Sequence, residues 1–152
     1  MKYIILFLVG GLAIGCNNVD SPAAGNTNQD SVKQAAMSDS ANFTSIEWID
    51  SMTQNLNKVK EGQVLEISWK FRNSGNKPLV IANVRPGCGC TGAEGPKDPV
   101  APGQEGVIKA QFNTEHYPGT QYKQVYVKSN TRNRSGGEEE VLNFKVEVEP
   151  KN

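Results

Sequence analysis

The stretch Asn73-Ser74-Gly75-Asn76-Lys77-Pro78-Leu79-Val80-Ile81-Ala82-Asn83-Val84-Arg85-Pro86-Gly87-Cys88-Gly89-Cys90-Thr91 holds a turn, a strand and two cysteines one residue apart. Asn73-Ser74-Gly75-Asn76 is turn chemistry, and Pro78 opens a strand at a position that needs no ladder donor. Residues 79–84 read as a strand that pairs back as a hairpin on the one before the turn, and Pro86-Gly87 ends it. The preceding strand, residues 64–73, alternates: Leu65, Ile67, Trp69 and Phe71 share one face, and Glu66, Ser68, Lys70 and Arg72 the other. Period two over this length is the mark of a half-buried strand, with Trp69 in the core.

Outward from there the pattern repeats. Residues 92–103 form a loop punctuated by Pro96, Pro99 and Pro102. Strands follow at 107–113, 122–129 and 140–149, separated by a turn at 115–119 and a polar loop at 130–137. Upstream, residues 43–49 and 56–59 open the domain less regularly. No long amphipathic helix interrupts them, so about seven short strands predict an all-β, antiparallel β-sandwich over residues 43–152. Its predicted core is Leu65, Ile67, Trp69, Ile108, Phe112, Val125, Val127, Phe144 and Val146.

The N-terminus is an address. Met1-Lys2 precedes an apolar run through Ile14, too short to cross a ~30 Å hydrocarbon core as a helix. It reads as an export signal over residues 1–15. Leu12-Ala13-Ile14-Gly15-Cys16 resembles the bacterial lipoprotein cleavage box, which makes Cys16 the lipidated first residue of the mature chain. Two or more acyl chains bind a membrane stably where one does not. Residues 21–42 are rich in Ser, Ala, Asn, Gln and Asp and bury too little to offset their ordering entropy. Residues 16–42 are therefore expected to be a flexible tether, with a short helix near 31–37 as the exception. Lys+Arg and Asp+Glu both count 16, which leaves no net field to attract nucleic acid.

Lys70-Phe71-Arg72-Asn73-Ser74-Gly75, Pro78-Leu79-Val80-Ile81, Cys88-Gly89-Cys90-Thr91, Ala101-Pro102-Gly103 and Ser129-Asn130 occur in one order with characteristic spacing. Together they resemble the bacterial domain of unknown function 1573 family over residues 46–148. The resemblance implies an immunoglobulin-like sandwich of the major-sperm-protein and Hydin type in an exported, often lipidated protein. Asp50-Ser51-Met52 departs from it, standing where an aromatic-glycine pair is usual.

With Cys16 consumed by lipid, Cys88 and Cys90 remain as an even pair. Three readings stay open: a structural turn with thiols free or joined, a soft copper or zinc site, and a redox dithiol. Two thiolates are too few for a closed metal site, and His116 is the one histidine available as a third ligand. A disulfide between residues two apart in extended chain sits near the ~7 Å Cα limit for bridging. No Ser/His/Asp order, HExxH or phosphate loop supports catalysis, and no cofactor is expected. The chain reads as a non-enzymatic interaction or structural module, anchored to a membrane of the cell envelope through Cys16 and engaging an envelope protein. Residues 86–103 form a loop long enough to be functional, with 115–122 beside it, so the partner surface is placed on Glu94, Lys97, Asp98, His116 and Tyr117.

Overall fold

The computed structural model describes residues 27–132 and 139–151. The expected signal peptide, Cys16 and the first part of the expected tether lie outside them, as does most of the 130–137 loop. In chain order the elements are helix α1 (Thr27–Ser38), a 3-10 turn (Ser40–Asn42), and strands β1 (Ile46–Trp48), β2 (Thr53–Asn55), β3 (Val59–Lys60), β4 (Val64–Asn73), β5 (Ile81–Pro86), β6 (Thr91–Glu94), β7 (Glu105–Asn113), β8 (Gly119–Ser129) and β9 (Glu139–Glu149).

β4 is the spine of one sheet, ordered β1-β4-β7-β6 with every neighbour antiparallel. Its alternation decides its face: Ile67, Trp69 and Phe71 are buried while the residues between them are exposed. β7 answers with Ile108, Ala110 and Phe112. The second sheet is ordered β2-β9-β8-β5 and contributes Val125, Val127, Leu142, Phe144, Val146 and Val148. Trp69 and Phe112 meet Phe144 across the interface at centroid distances of 6.3 and 5.9 Å. Each such buried apolar side chain contributes roughly 1.5–3 kcal/mol. The predicted core is found intact except for Leu65, which sits partly buried at the rim.

The sandwich is not wholly antiparallel. β2 and β3 run parallel to β9. The chain starts against β4, then changes sheets at Asp50-Ser51-Met52, the site of the family departure. There the Asp50 carboxylate accepts the Lys70 N–H at 2.7 Å, and the Met52 carbonyl accepts the Asn143 N–H at 2.7 Å. These residues fasten the switching segment to both sheets in turn.

The expected hairpin of β4 with β5 does not form. β5 pairs with β8 in the opposite sheet. Leu79, Val80 and Ile81 are buried consecutively, without alternation, as the chain crosses from one sheet to the other: Leu79 and Ile81 join the core, and the Val80 N–H is held by Asn130. Leu79 and Val100 exchange backbone hydrogen bonds of 2.9 and 2.8 Å on the way. The 92–103 segment also holds a strand, β6. The tether expectation changes as well: residues 27–38 form α1, which contains the expected short helix and packs against β5. Its Ala35, Ala36, Lys33 and Gln34 favour helix, and Asp30 lies in the first turn where the helix dipole favours an anion.

The crossover from β4 to β5 is held by two buried asparagines. Asn73 donates to the Lys77 and Val100 carbonyls at 2.7 and 2.9 Å, and its carbonyl accepts from Thr44 and Gly75. Asn130 donates to the Asn42 and Pro78 carbonyls at 2.8 and 2.9 Å and accepts the Val80 N–H at 2.7 Å. Gly75 is required by space: a Cβ there would strike the Thr44 hydroxyl and the Ser45 nitrogen. The chain from α1 therefore joins the sandwich at the end where β4 finishes.

Candidate functional site

The other end of β4 begins at Val64, which pairs with Asn113. Nine strand steps of ~3.4 Å separate the two poles by roughly 30 Å. At this far pole β5 turns into β6, and Cys88 and Cys90 are joined in a disulfide with Cα atoms 5.4 Å apart. The chain is not extended here, which is why the bond closes well inside the bridging limit: the Thr91 N–H turns back to the Cys88 carbonyl at 3.3 Å. The corner is also tied to both sheets. Gly87 donates to the Gln124 carbonyl at 2.8 Å, and Asn113 donates to the Cys90 carbonyl at 3.2 Å.

Next to the disulfide corner, the chain crosses from β7 to β8. Thr114 is buried, with its hydroxyl donating to the Gln63 carbonyl at 2.8 Å. His116 adopts a left-handed φ of 65°, and its N–H is held by the Glu61 carboxylate at 2.9 Å. Tyr117 leans on Phe112, 5.9 Å between centroids, and the Lys123 ammonium lies 4.6 Å from the Tyr117 ring and 4.9 Å from that of Phe112. Burial pulls the Lys123 pKa below its ordinary value, while the two ring faces attract its charge. The pole thus carries a disulfide, the exposed Tyr117 ring seated on buried Phe112, and a half-buried cation.

His116 and the cysteines share this pole, as the strand order requires once β6 is counted. They do not assemble a metal centre: among the described residues no three of His, Cys, Asp and Glu come together to hold an ion. The expected partner residues are split. His116 and Tyr117 lie at the far pole. Glu94 pairs with Lys109 near the middle of β7, and beside Ser68 and Gln111 it lines a shallow depression of ≈ 550 Å³ on the outer sheet face. Glu94 and Lys97 also flank Lys33 of α1. The segment carrying Lys97 and Asp98 runs on to Val100, whose carbonyl accepts from Asn73 at the opposite pole.

Sequence reasoning missed Lys123 and the two asparagines. Lys123 has the same strand parity as Val125 and Val127, which marks it as inward-facing. Asn73 likewise follows Trp69 and Phe71 in parity, so an amide, not an apolar group, falls on the inner face.

This geometry can be set beside known proteins. The family model described as "Protein of unknown function (DUF1573)" matches residues 46–148. The chain belongs to the DUF1573 family. A protein of unknown function from Porphyromonas gingivalis W83 is similar in structure, with TM-score 0.58, 14% identity, and coverage of 72% of this chain and 49% of that one. The chain thus spans about half the length of that relative, at 49%. The secreted serine protease VesC from Vibrio cholerae aligns with TM-score 0.50 and 12% identity over 69% of this chain and 23% of that one. The ASH/PapD-like domain of human CEP192 aligns with TM-score 0.48 and 10% identity over 72% of this chain and 87% of that one. No curated protein matches the sequence. At these identities the likeness is one of fold alone, the two-sheet β-sandwich that the strand order shows. Sequence motifs and family model agree on the DUF1573 domain and on its span.

Proposed function

We propose that this DUF1573 protein is a lipid-anchored, non-enzymatic interaction module of the cell envelope that meets a protein partner through its far pole. One observation carries the reading: the chain leaving α1 enters the sandwich at the Asn73–Asn130 pole, and the disulfide, His116 and Tyr117 lie at the other end of β4. A lipid on Cys16 attaches the first pole to a membrane and leaves the second outward. Tyr117 is 38% exposed and Lys123 half-buried, the mixture of aromatic body and polar tip that suits a protein interface. Glu94, Lys97 and Asp98 are left out of it because they flank α1 or lead back to the tethered pole.

The test is crosslinking of the intact protein in its native envelope followed by fractionation. Wild type gives a defined adduct in the membrane fraction. Cys16→Ala accumulates unprocessed or leaves the membrane, and His116→Ala/Tyr117→Ala stays anchored but loses the adduct. Normal processing and partitioning of Cys16→Ala contradicts the anchor. An adduct that survives the double substitution contradicts the surface.

A further inference from the structure

The Cys88–Cys90 bond closes a loop with a sequence separation of 2. In the chain-entropy view, stabilisation grows with the logarithm of loop length, so this is the placement that contributes least to the fold. The corner has other fastenings: the Gly87, Thr91 and Asn113 N–H groups are all bonded across it. Breaking the bond therefore leaves both sheets attached. Both cysteines are only half-buried, and a Cβ placed on Gly89 between them meets nothing within 4 Å, so the approach to the ring is open.

A buried hydroxyl sits beside both sulfurs. Thr91 is 4% exposed, and its Oγ1 lies 3.5 Å from Cys88 Sγ and 3.8 Å from Cys90 Sγ. Bonded sulfurs carry no hydrogen, so Thr91 is the donor. A donor already aimed at the sulfurs stabilises the thiolate that forms when the bond opens. The pair is also asymmetric: Cys90 packs against the core, whereas Cys88 is the outer sulfur.

We propose that Cys88 and Cys90 form a thiol–disulfide exchange site that accepts two electrons from an external dithiol. A thiolate of the donor attacks Cys88 Sγ, and the Cys88–Cys90 bond breaks with its electron pair leaving on Cys90 Sγ. The Thr91 hydroxyl stabilises that sulfur until it is protonated. The second thiol of the donor then attacks the mixed disulfide and releases Cys88 as a thiol. The donor's dithiol loses two electrons and two protons and becomes a disulfide; Cys88 and Cys90 gain them.

The experiment equilibrates the folded full chain with reduced and oxidised dithiothreitol, then measures alkylation at Cys88 and Cys90 by peptide mass spectrometry. Tryptophan fluorescence reports the fold in the same samples. The expected result is reduction of the pair with the native spectrum retained. In samples quenched with time, Thr91→Val slows reduction about tenfold, the size of one hydrogen bond to a charged group, and Thr91→Ser restores the rate. Cys90→Ser, treated with oxidised glutathione, forms a mixed disulfide at Cys88 faster than Cys88→Ser does at Cys90. A bond that resists excess dithiothreitol until the protein unfolds overturns the proposal, as does a Thr91→Val reduction rate equal to wild type.

Discussion

Asn73 and Asn130 donate their side-chain amides to neighbouring carbonyls, those of Lys77 and Pro78, at 2.7 and 2.9 Å. Asn73 ends β4 in one sheet and Asn130 follows β8 in the other, so a single crossover is fastened to both sheets at once. Removing either amide strands buried carbonyls and N–H groups, each costing about 1–3 kcal/mol. Asn73→Ala and Asn130→Ala are each expected to lose about 3 kcal/mol or more in urea unfolding. Because the two hold adjacent peptide groups, the double substitution should cost less than the sum.

Trp69 is fully buried, while Lys70 beside it on β4 faces solvent. Trp69→Ala should cost about 3–5 kcal/mol and Lys70→Ala under about 0.5 kcal/mol. The Trp69 indole N–H has no hydrogen-bond partner among the described residues. Trp69→Phe removes that unpaired donor and keeps an aromatic ring, so it should cost well under half of Trp69→Ala. Chemical denaturation of the three variants checks the order.

Gly106 lies against the ring of Phe71, and a Cβ there would overlap it. Gly106→Ala should destabilise by about 1–3 kcal/mol, as overpacking does. Gly92→Ala meets open space and should be close to neutral. The same melting experiment on both variants separates crowding at β7 from any general intolerance of the strands.

Much of the fold was legible because β4 alternates along its length and β7, β8 and β9 along most of theirs, and alternation fixes which face is buried. The pairing of β5 was not legible. Leu79-Val80-Ile81 is a continuous apolar run, which marks burial on both sides without naming the neighbour. β2 and β3 were hidden by their length, since strands of three and two residues carry no period. β6 reads Thr-Gly-Ala-Glu and owes its place to pairing with β7, a tertiary cause absent from local sequence. At the site, the cysteine pair was plain in the sequence. The Thr91 contact, the Lys123 cation against its aromatic pair, and the separation of Glu94, Lys97 and Asp98 from His116 depend on register and could only be seen in three dimensions.

Lys123 supplies a pH test. Burial lowers its folded pKa below 10.5, whereas the Glu147 carboxylate, hydrogen-bonded at 2.8 Å, raises that of Lys58. In an NMR titration Lys123 should deprotonate before Lys58. The unfolded chain holds the Lys123 proton more tightly than the folded one. Between the lowered folded pKa and 10.5, wild type should therefore gain stability relative to Lys123→Met as pH rises. The burial penalty is fully present below that window and gone above it.

The central claim is that the pole opposite the tether is the one that meets a partner. Its most direct test places a photo-crosslinking amino acid at position 117 in one sample and at position 97 in another, with illumination of the native envelope. A specific adduct is expected from 117 and none from 97. An adduct from 97 with none from 117, or equal adducts from both, contradicts it.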